Sequence, residues 1–170
     1  STSAARSMVE CARRLPSAAA ALGELGAGLA AVGLTGGAPP SGGEPGGAAL
    51  DLLSICVPTL GFQQEMRATA GFIKIASLLH SGASDHQVEV AAYALLHTLN
   101  RDPAALTWAC TQPGLLRTLV DLWYGRRNRV KARVQGCIQK LLREDATLAA
   151  AEECAPTPPL IGGGTGIDHR

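Results

Sequence analysis

Aromatic residues are scarce in this chain. Its 170 residues include only two each of Phe, Trp and Tyr, whereas Ala, Leu and Gly dominate the sequence. β-Sheets draw heavily on aromatic and β-branched side chains, so the composition argues against a β-rich fold. Ala and Leu are strong helix formers, and the composition therefore favours closely packed helices. The chain is long enough to bury a core of its own.

A strong net charge and long apolar runs are also missing. Fifteen basic and 14 acidic residues leave a formal net charge of +1, so the overall charge points to no nucleic-acid or acidic partner. The most apolar stretch, residues 18–34, is interrupted by Glu24 and several glycines. A membrane helix needs about 20 apolar residues. We therefore expect no membrane contact and predict one buried helix over residues 18–34.

Cysteine usage gives no disulfide framework. The number of cysteines is odd, their spacing is wide and no Cys-x-x-Cys occurs. Several lie on predicted apolar helix faces, where a thiol behaves as a small hydrophobic group. We expect reduced cysteines and an intracellular, reducing compartment such as the cytoplasm or nucleus. The five positions are Cys11, Cys56, Cys110, Cys137 and Cys154.

Groups capable of catalysis are scattered. His80, His86 and His97 are scattered over two predicted helices, and His169 lies in the predicted tail. No Ser-His or Cys-His arrangement supports a nucleophile. A metal site would need clustered ligands. The glycines of residues 162–166 lack the strand and helix that frame a phosphate loop. We expect no enzyme activity, cofactor, metal or small-molecule substrate.

Residues 71–143 contain one pattern twice. A glycine, Gly71 or Gly114, precedes a short apolar helix, and a polar turn and a longer helix follow. Equivalent positions are about 42 residues apart, a spacing found in helical repeat proteins. Ser84 with Gln87 is typical of a helix-capping box. The equivalent apolar pairs are Val88 with Val130, Leu96 with Ile138, and Leu99 with Leu141.

This pattern resembles armadillo repeats, which contain a short, a medium and a long helix. The predicted first helices are 63–70 and 103–111, the second 71–81 and 114–124, and the third 85–100 and 128–143. The closest local match is VEVAAYAL, residues 88–95. The resemblance implies an all-α, armadillo-like α-solenoid, a right-handed superhelix of about three repeats, over residues 1–154.

The remaining segments are interpreted around that core. We predict an amphipathic helix over 3–15, and a helix over 48–60 as the long third helix of a first, degenerate repeat. Glycine and proline dominate residues 35–47 and the end of the chain, so we predict a flexible loop at 35–47 and a disordered tail at 155–170. A short helix over 146–154 is predicted to cover the end of the stack.

The resemblance implies a non-catalytic scaffold or adaptor within a larger complex. In armadillo proteins, the exposed side of the long helices binds an extended partner peptide or helix. That side often carries tryptophan and asparagine four residues apart, which this chain lacks, so a basic peptide of the nuclear-import type is not expected. The candidate groove residues are Glu89, Tyr93, His97, Lys131, Arg133, Gln135 and Gln139.

A basic cluster near the end of the second repeat leaves two interpretations open. It is either a solvated helix face or a contact surface for an acidic partner or a phosphate backbone. The alternative function is therefore an RNA-contacting structural component of a ribonucleoprotein assembly, acting through the basic helix 126–143. The cluster contains Arg126, Arg127, Arg129, Lys131, Arg133, Lys140 and Arg143.

Overall fold

The computed structural model describes residues 2–35 and 46–153, and these residues are all-α, as predicted. Most of the predicted loop, residues 36–45, and the whole predicted tail lie outside the described residues. The helices are α1 (Thr2–Arg14), α2 (Pro16–Glu24), α3 (Ala27–Thr35), α4 (Gly46–Cys56), α5 (Leu60–Thr69), α6 (Phe72–Ser77), α7 (Asp85–Arg101), α8 (Pro103–Cys110), α9 (Pro113–Gly125) and α10 (Asn128–Glu153).

Every third helix packs against the next one of the set. Helix α1 contacts α4, α4 contacts α7, and α7 contacts α10. The other helices lie beside this row: α2 packs against α5, α6 against α7, and α8 and α9 against α10. One continuous apolar core runs through the row from Val9 to Leu141. Phe62 is fully buried in it, and removing such a side chain costs about 3–5 kcal/mol.

Helices α7 and α10 present equivalent residues to the core. Val88, Val130, Leu99 and Leu141 are buried, whereas Leu96 and Ile138 are both partly buried. The Sγ of Cys137 donates a hydrogen bond of 3.3 Å to the carbonyl oxygen of Ala92. A Cβ added at Gly136 would lie 2.7 Å from Cδ2 of Leu96, so this glycine lets the two helices approach closely.

The predicted caps of α7 and α8 are present, with one difference. The hydroxyl of Ser84 accepts the backbone N–H of Gln87 at 3.2 Å, which confirms Ser84 as the N-cap of α7. The side chain of Gln87 donates instead to the carbonyl oxygen of Leu78 at 3.0 Å and so ties α6 to α7. At the start of α8, Asp102 accepts the N–H of Ala104 at 3.0 Å.

The prediction of one helix over 18–34 is wrong. Helices α2 and α3 are separate and meet at Gly26, whose φ of 72° lies in the left-handed region. Glycine adopts that conformation without steric penalty. The side chain of Glu65 on α5 lies next to this turn, close to where a Cβ of residue 26 would be.

Two other helix boundaries also differ from the prediction. Helix α4 ends at Cys56, before Pro58, and Thr59 caps a new helix by accepting the N–H of Phe62 at 3.3 Å. The predicted separate helix over 146–154 is instead the continuation of α10, since neither Gly nor Pro interrupts the chain there. No helix of the described residues combines the length and the hydropathy needed to cross a bilayer.

Candidate functional site

The central long helix, α7, leaves one polar strip accessible. Three of its residues, Glu89, Tyr93 and His97, are half-buried and spaced four apart, so their side chains lie on one face. We call these three residues the α7 ridge. The opposite and flanking faces of the helix are buried, through Val88, Val90, Ala91, Ala92, Ala94, Leu95, Thr98 and Leu99.

Helix α10 adds two arginines to the α7 ridge. Nε of Arg129 lies 2.6 Å from Oε1 of Glu89. One turn later, the guanidinium of Arg133 lies over the ring of Tyr93, 4.7 Å from its centroid. An exposed cation–π contact of this kind contributes about 0.5–1 kcal/mol. The two contacts lie one helical turn apart along the interface between α7 and α10.

His97 is fixed by a glutamine from another helix. Nε2 of Gln63, on α5, lies 2.8 Å from Nδ1 of His97 and donates to the carbonyl oxygen of Val57 at 2.9 Å. A carbonyl oxygen only accepts hydrogen bonds, so the amide nitrogen of Gln63 must face it. Nδ1 of His97 is therefore the acceptor, and the proton of the neutral ring lies on Nε2.

The electrostatic surroundings of His97 favour that neutral form. Burial lowers the pKa of His97 from its ordinary value of 6.5, and the positive charge of Arg101 lowers it further. The ring also lies against Tyr93, with the two centroids 6.0 Å apart. His97 is thus an uncharged hydrogen-bond donor beside an aromatic ring at neutral pH.

Polar contacts also join α7 to α4 and α4 to α1. Oδ1 of Asp51, on α4, lies 3.2 Å from Nε2 of His86, and its Oδ2 lies 3.1 Å from Nη2 of Arg13 on α1. Pairs exposed in this way contribute about 0–1 kcal/mol each. The row of long helices therefore presents a polar surface along its length, and this surface adds little to the free energy of unfolding.

The structure separates the predicted groove residues into two groups. Arg133 lies over Tyr93, which shares its face of α7 with Glu89 and His97. Nζ of Lys131 lies instead 5.3 Å from the ring centroid of Trp123 on α9. Both Gln135 and Gln139 are exposed on α10. A helix turns by about 100° per residue, so Gln135 projects about 160° away from Arg133 and Gln139 about 120°.

Gln135 and Gln139 align with Tyr93 and His97 at the offset of 42, and they lie on another side of α10 from its contact with the α7 ridge. That contact is made by Arg129 and Arg133, which lie next to buried positions of α10. The buried positions are Val130, Val134, Cys137 and Leu141.

Arg126 is a structural residue, and the prediction that it lies on an outer face is wrong. Its side chain is only 15% exposed. Nη1 lies 2.8 Å from Oδ1 of Asp85, and Nη2 donates to the carbonyl oxygen of Ser81 at 2.9 Å. The planar guanidinium suits two acceptors at once. Arg126 thereby ties the end of α9 to the start of α7.

The rest of the basic cluster is divided among several contacts. Arg127 remains 92% exposed with its Nε 3.9 Å from Asp85, and Arg129 remains 84% exposed beside Glu89. Nζ of Lys140 lies 3.5 Å from Oε1 of Glu144 on its own helix, and Arg143 is exposed. These cations do not form one unpaired basic face.

Sequence reasoning missed the partners that complete the site. Gln63 lies 34 residues before His97, and Asp51 lies 35 residues before His86. Neither pair shares a helix or a repeat position, so no local spacing indicates it. His86, in the first turn of α7, is exposed and still lies 3.2 Å from Asp51 on the neighbouring helix α4.

The described residues were also compared with the requirements of a metal site and of a ligand-binding cleft. The described residues contain no group of three or more His, Cys, Asp or Glu side chains arranged to hold a metal ion. A cleft of about 520 Å³ lies between the α6–α7 connection and α9, lined by His80, Thr118, Asp121 and Arg126. The guanidinium of Arg126 already donates hydrogen bonds to Asp85 and Ser81, so it is not available to a ligand in this cleft.

Comparison with known proteins gave no assignment. No family model, curated protein or solved structure matches this chain. The resemblance to armadillo repeats therefore stays a prediction from the sequence.

Proposed function

We propose that this chain is an armadillo-like α-solenoid of about three repeats that acts as a non-catalytic scaffold or adaptor in a larger complex. The packing of α1, α4, α7 and α10 in one row, with two shorter helices between successive members, supports this proposal. In a solenoid, each repeat buries its apolar face against its neighbours and leaves an extended surface for partners.

The partner peptide or helix binds along the row of long helices, centred on the α7 ridge and Arg133. The observation that carries this proposal is the pairing of Tyr93 with Arg133, because it places an aromatic ring and an exposed cation side by side. Residues of these types are common at the centres of protein interfaces. Lys131 and Gln135 face away from this centre.

The test combines charge reversal with removal of the ring. Native partners are first identified by crosslinking and mass spectrometry, and each is then measured against the purified chain. In the variant Tyr93→Ala/Arg133→Glu, we expect affinity to fall by about tenfold or more. Arg117→Glu is the matched control, because it reverses an exposed arginine on α9. Unchanged affinity in the double variant would reject the α7 ridge as the binding surface.

The alternative, RNA contact through the basic helix 126–143, has one supporting observation. The side chains of Arg127 and Arg129 are mostly exposed, although each has a carboxylate close by. Phosphate contacts make affinity fall by orders of magnitude between about 50 and 200 mM salt. The absence of RNA binding at low salt would exclude this function.

We further propose a reducing compartment for this chain. Burial raises the pKa of Cys56 to about 11 and that of Cys137 to about 12, so both thiols are protonated at neutral pH. Buried in the core, they act as small hydrophobic side chains.

A further inference from the structure

Helix α1 carries an apolar stripe that its own chain leaves exposed. We call it the α1 stripe, and its residues, spaced so that they share one helix face, are Ala4, Met8, Cys11 and Leu15. Met8 is 42% and Leu15 54% exposed, and the two smaller side chains are exposed as well. Leu15 directly follows the last residue of α1, and its N–H still donates to the carbonyl oxygen of Cys11 at 3.0 Å. Leu15 therefore continues the helical pattern.

The buried side of α1 is a different one. It consists of Ala5, Val9 and Ala12. A helix turns by about 100° per residue, so these side chains project about 100° away from the middle of the α1 stripe. Contiguous apolar surface left in water commonly marks an interaction site. The α1 stripe is therefore a second apolar face of the helix, and it is open to a partner.

Charged groups beside the α1 stripe are paired within the chain. Nη2 of Arg14 lies 2.7 Å from Oε1 of Glu10, and Nη2 of Arg13 lies 3.1 Å from Oδ2 of Asp51 on α4. Arg6 projects about 170° away from the middle of the stripe. What the α1 stripe offers a partner is therefore apolar area rather than charge.

The opposite end of the row of long helices is polar at the equivalent positions. Helices α4 and α7 each contact a long helix on both sides, whereas α1 and α10 lie at the two ends. On α10, the same spacing falls on the exposed residues Asn128, Ala132, Gln135 and Gln139. Their amide groups would lose hydrogen bonds to water against an apolar stripe. A head-to-tail contact between α10 of one chain and α1 of the next is therefore disfavoured.

We propose that a second copy of this chain covers the α1 stripe, with the two α1 helices packed antiparallel about a two-fold axis. A two-fold interface uses the same surface patch on both chains, so an apolar patch meets an apolar patch. This inference goes beyond the proposed function and does not involve the α7 ridge.

Side-chain sizes fit the antiparallel arrangement. A register that places Met8 opposite Cys11 of the second copy also places Leu15 opposite Ala4 of the second copy. Each large side chain then meets a small one, which lets the two helices interdigitate. A parallel pair would set each residue beside its own copy, with leucine against leucine at one end and a gap between two alanines at the other.

The contact between the two α1 helices is small, so we expect a weak dimer. Helix α1 has 13 residues and is therefore about 20 Å long. Stable protein interfaces usually bury about 1,200–2,000 Å², more than one pair of short helices provides. The association must therefore be measured up to high protein concentration.

Sedimentation velocity of the full chain between about 10 μM and 1 mM tests the dimer. We expect the dimer fraction to rise with concentration and no larger species to form. Met8→Glu/Leu15→Glu should weaken dimerisation by about tenfold or more, because it places charges in an apolar contact. Both sites are exposed in the single chain, so the variant should keep its helices, which circular dichroism verifies. The matched control, Gln135→Glu/Gln139→Glu on the exposed face of α10, adds the same charge and should dimerise like the wild type.

Disulfide formation tests the antiparallel register. A chain with Ala4→Cys/Cys11→Ser is mixed with a chain with Leu15→Cys/Cys11→Ser, and the mixture is oxidised. Bridged cysteines need Cα atoms about 4.4–6.8 Å apart, so we expect position 4 of one chain to be linked to position 15 of the other. Mass spectrometry after proteolysis identifies the linked peptides. Links between two copies of position 4, or two copies of position 15, would reject the antiparallel arrangement.

Three further results would overturn the inference. A chain that stays monomeric up to about 1 mM, or a dimer that survives in Met8→Glu/Leu15→Glu, would reject the α1 stripe as the dimer contact. Oligomers that keep growing with concentration would indicate head-to-tail association. Binding to vesicles of phosphatidylcholine and phosphatidylserine that the same variant abolishes, without a dimer in solution, would assign the α1 stripe to a membrane surface instead.

Discussion

Individual side chains determine which hydrogen bonds the α7 ridge can make. The hydrogen bond from Gln63 fixes His97 as an acceptor at Nδ1 and a donor at Nε2. The spacing of Tyr93 and His97 was enough to predict that they share a face. The tautomer could not be predicted, because it depends on Val57 and Gln63, which approach only after distant helices pack.

The lowered pKa of His97 predicts an acid-dependent loss of stability. Above pH 6.5, the ordinary value that applies to the unfolded chain, His97 is neutral in both states. As the pH falls below 6.5, the unfolded chain binds the proton first, so the free energy of unfolding decreases until the folded-state pKa is reached. Between pH 7.5 and 5.5, the wild type should therefore lose more stability in urea unfolding than His97→Phe.

The neighbours that act on this histidine are Gln63, which carries no charge, and the cation Arg101. Equal losses of stability in the wild type and in His97→Phe would show that His97 is not held neutral.

Ala70, at the end of α5, has an unfavourable backbone conformation. Its φ of 50° and ψ of 36° are left-handed, a conformation that costs a non-glycine residue roughly 1–2 kcal/mol. Ala70→Gly should therefore raise the free energy of unfolding by about 1 kcal/mol, less the loss of a partly buried methyl group. Ala132→Gly, in the regular part of α10, should lower it by about 1 kcal/mol. A decrease in both variants on urea unfolding would contradict the assigned backbone.

Helix boundaries were predictable where their signals are local. Ser84 and Asp102 marked the starts of α7 and α8, because each side chain caps a backbone N–H within three residues. The break between α2 and α3 and the start of α5 were missed. The break depends on contacts with α5, where Glu65 lies against the Gly26 turn and Gly61 packs on the end of α2. The cap of α5 by Thr59 is local, but the predicted helix over 48–60 runs through it.

Gly61 tests that contact between α2 and α5. A Cβ at residue 61 would lie 2.7 Å from the carbonyl carbon of Gly23 and the nitrogen of Glu24, both backbone atoms that cannot rotate away. Gly61→Ala should lower the free energy of unfolding by about 1–3 kcal/mol. The control Gly33→Ala, with nothing within 4 Å, should raise it by up to about 1 kcal/mol. Equal effects of the two variants in denaturant unfolding would reject the close approach.

At the scale of the whole molecule, arginine side chains link helices that are distant in the sequence. Arg126 joins the end of α9 to the start of α7 through Asp85, and Nη2 of Arg67 on α5 donates to the carbonyl oxygen of Arg101 at 3.2 Å. The repeated apolar pattern was enough to predict the helix order over residues 71–143. It could not predict how α1 extends the row, because the glycines and prolines of that part of the chain obscure the repeat.

The packing of every third helix against the next is the central claim, and NOE contacts between methyl-labelled side chains test it most directly. We predict NOEs between the methyl groups of Leu96 and the Hα protons of Gly136, because α7 and α10 are in contact there. We also predict NOEs between Ala92 and Cys137. The presence of both sets would support the row of long helices. Strong NOEs from α10 to helices other than those it contacts here, with none to α7, would contradict it.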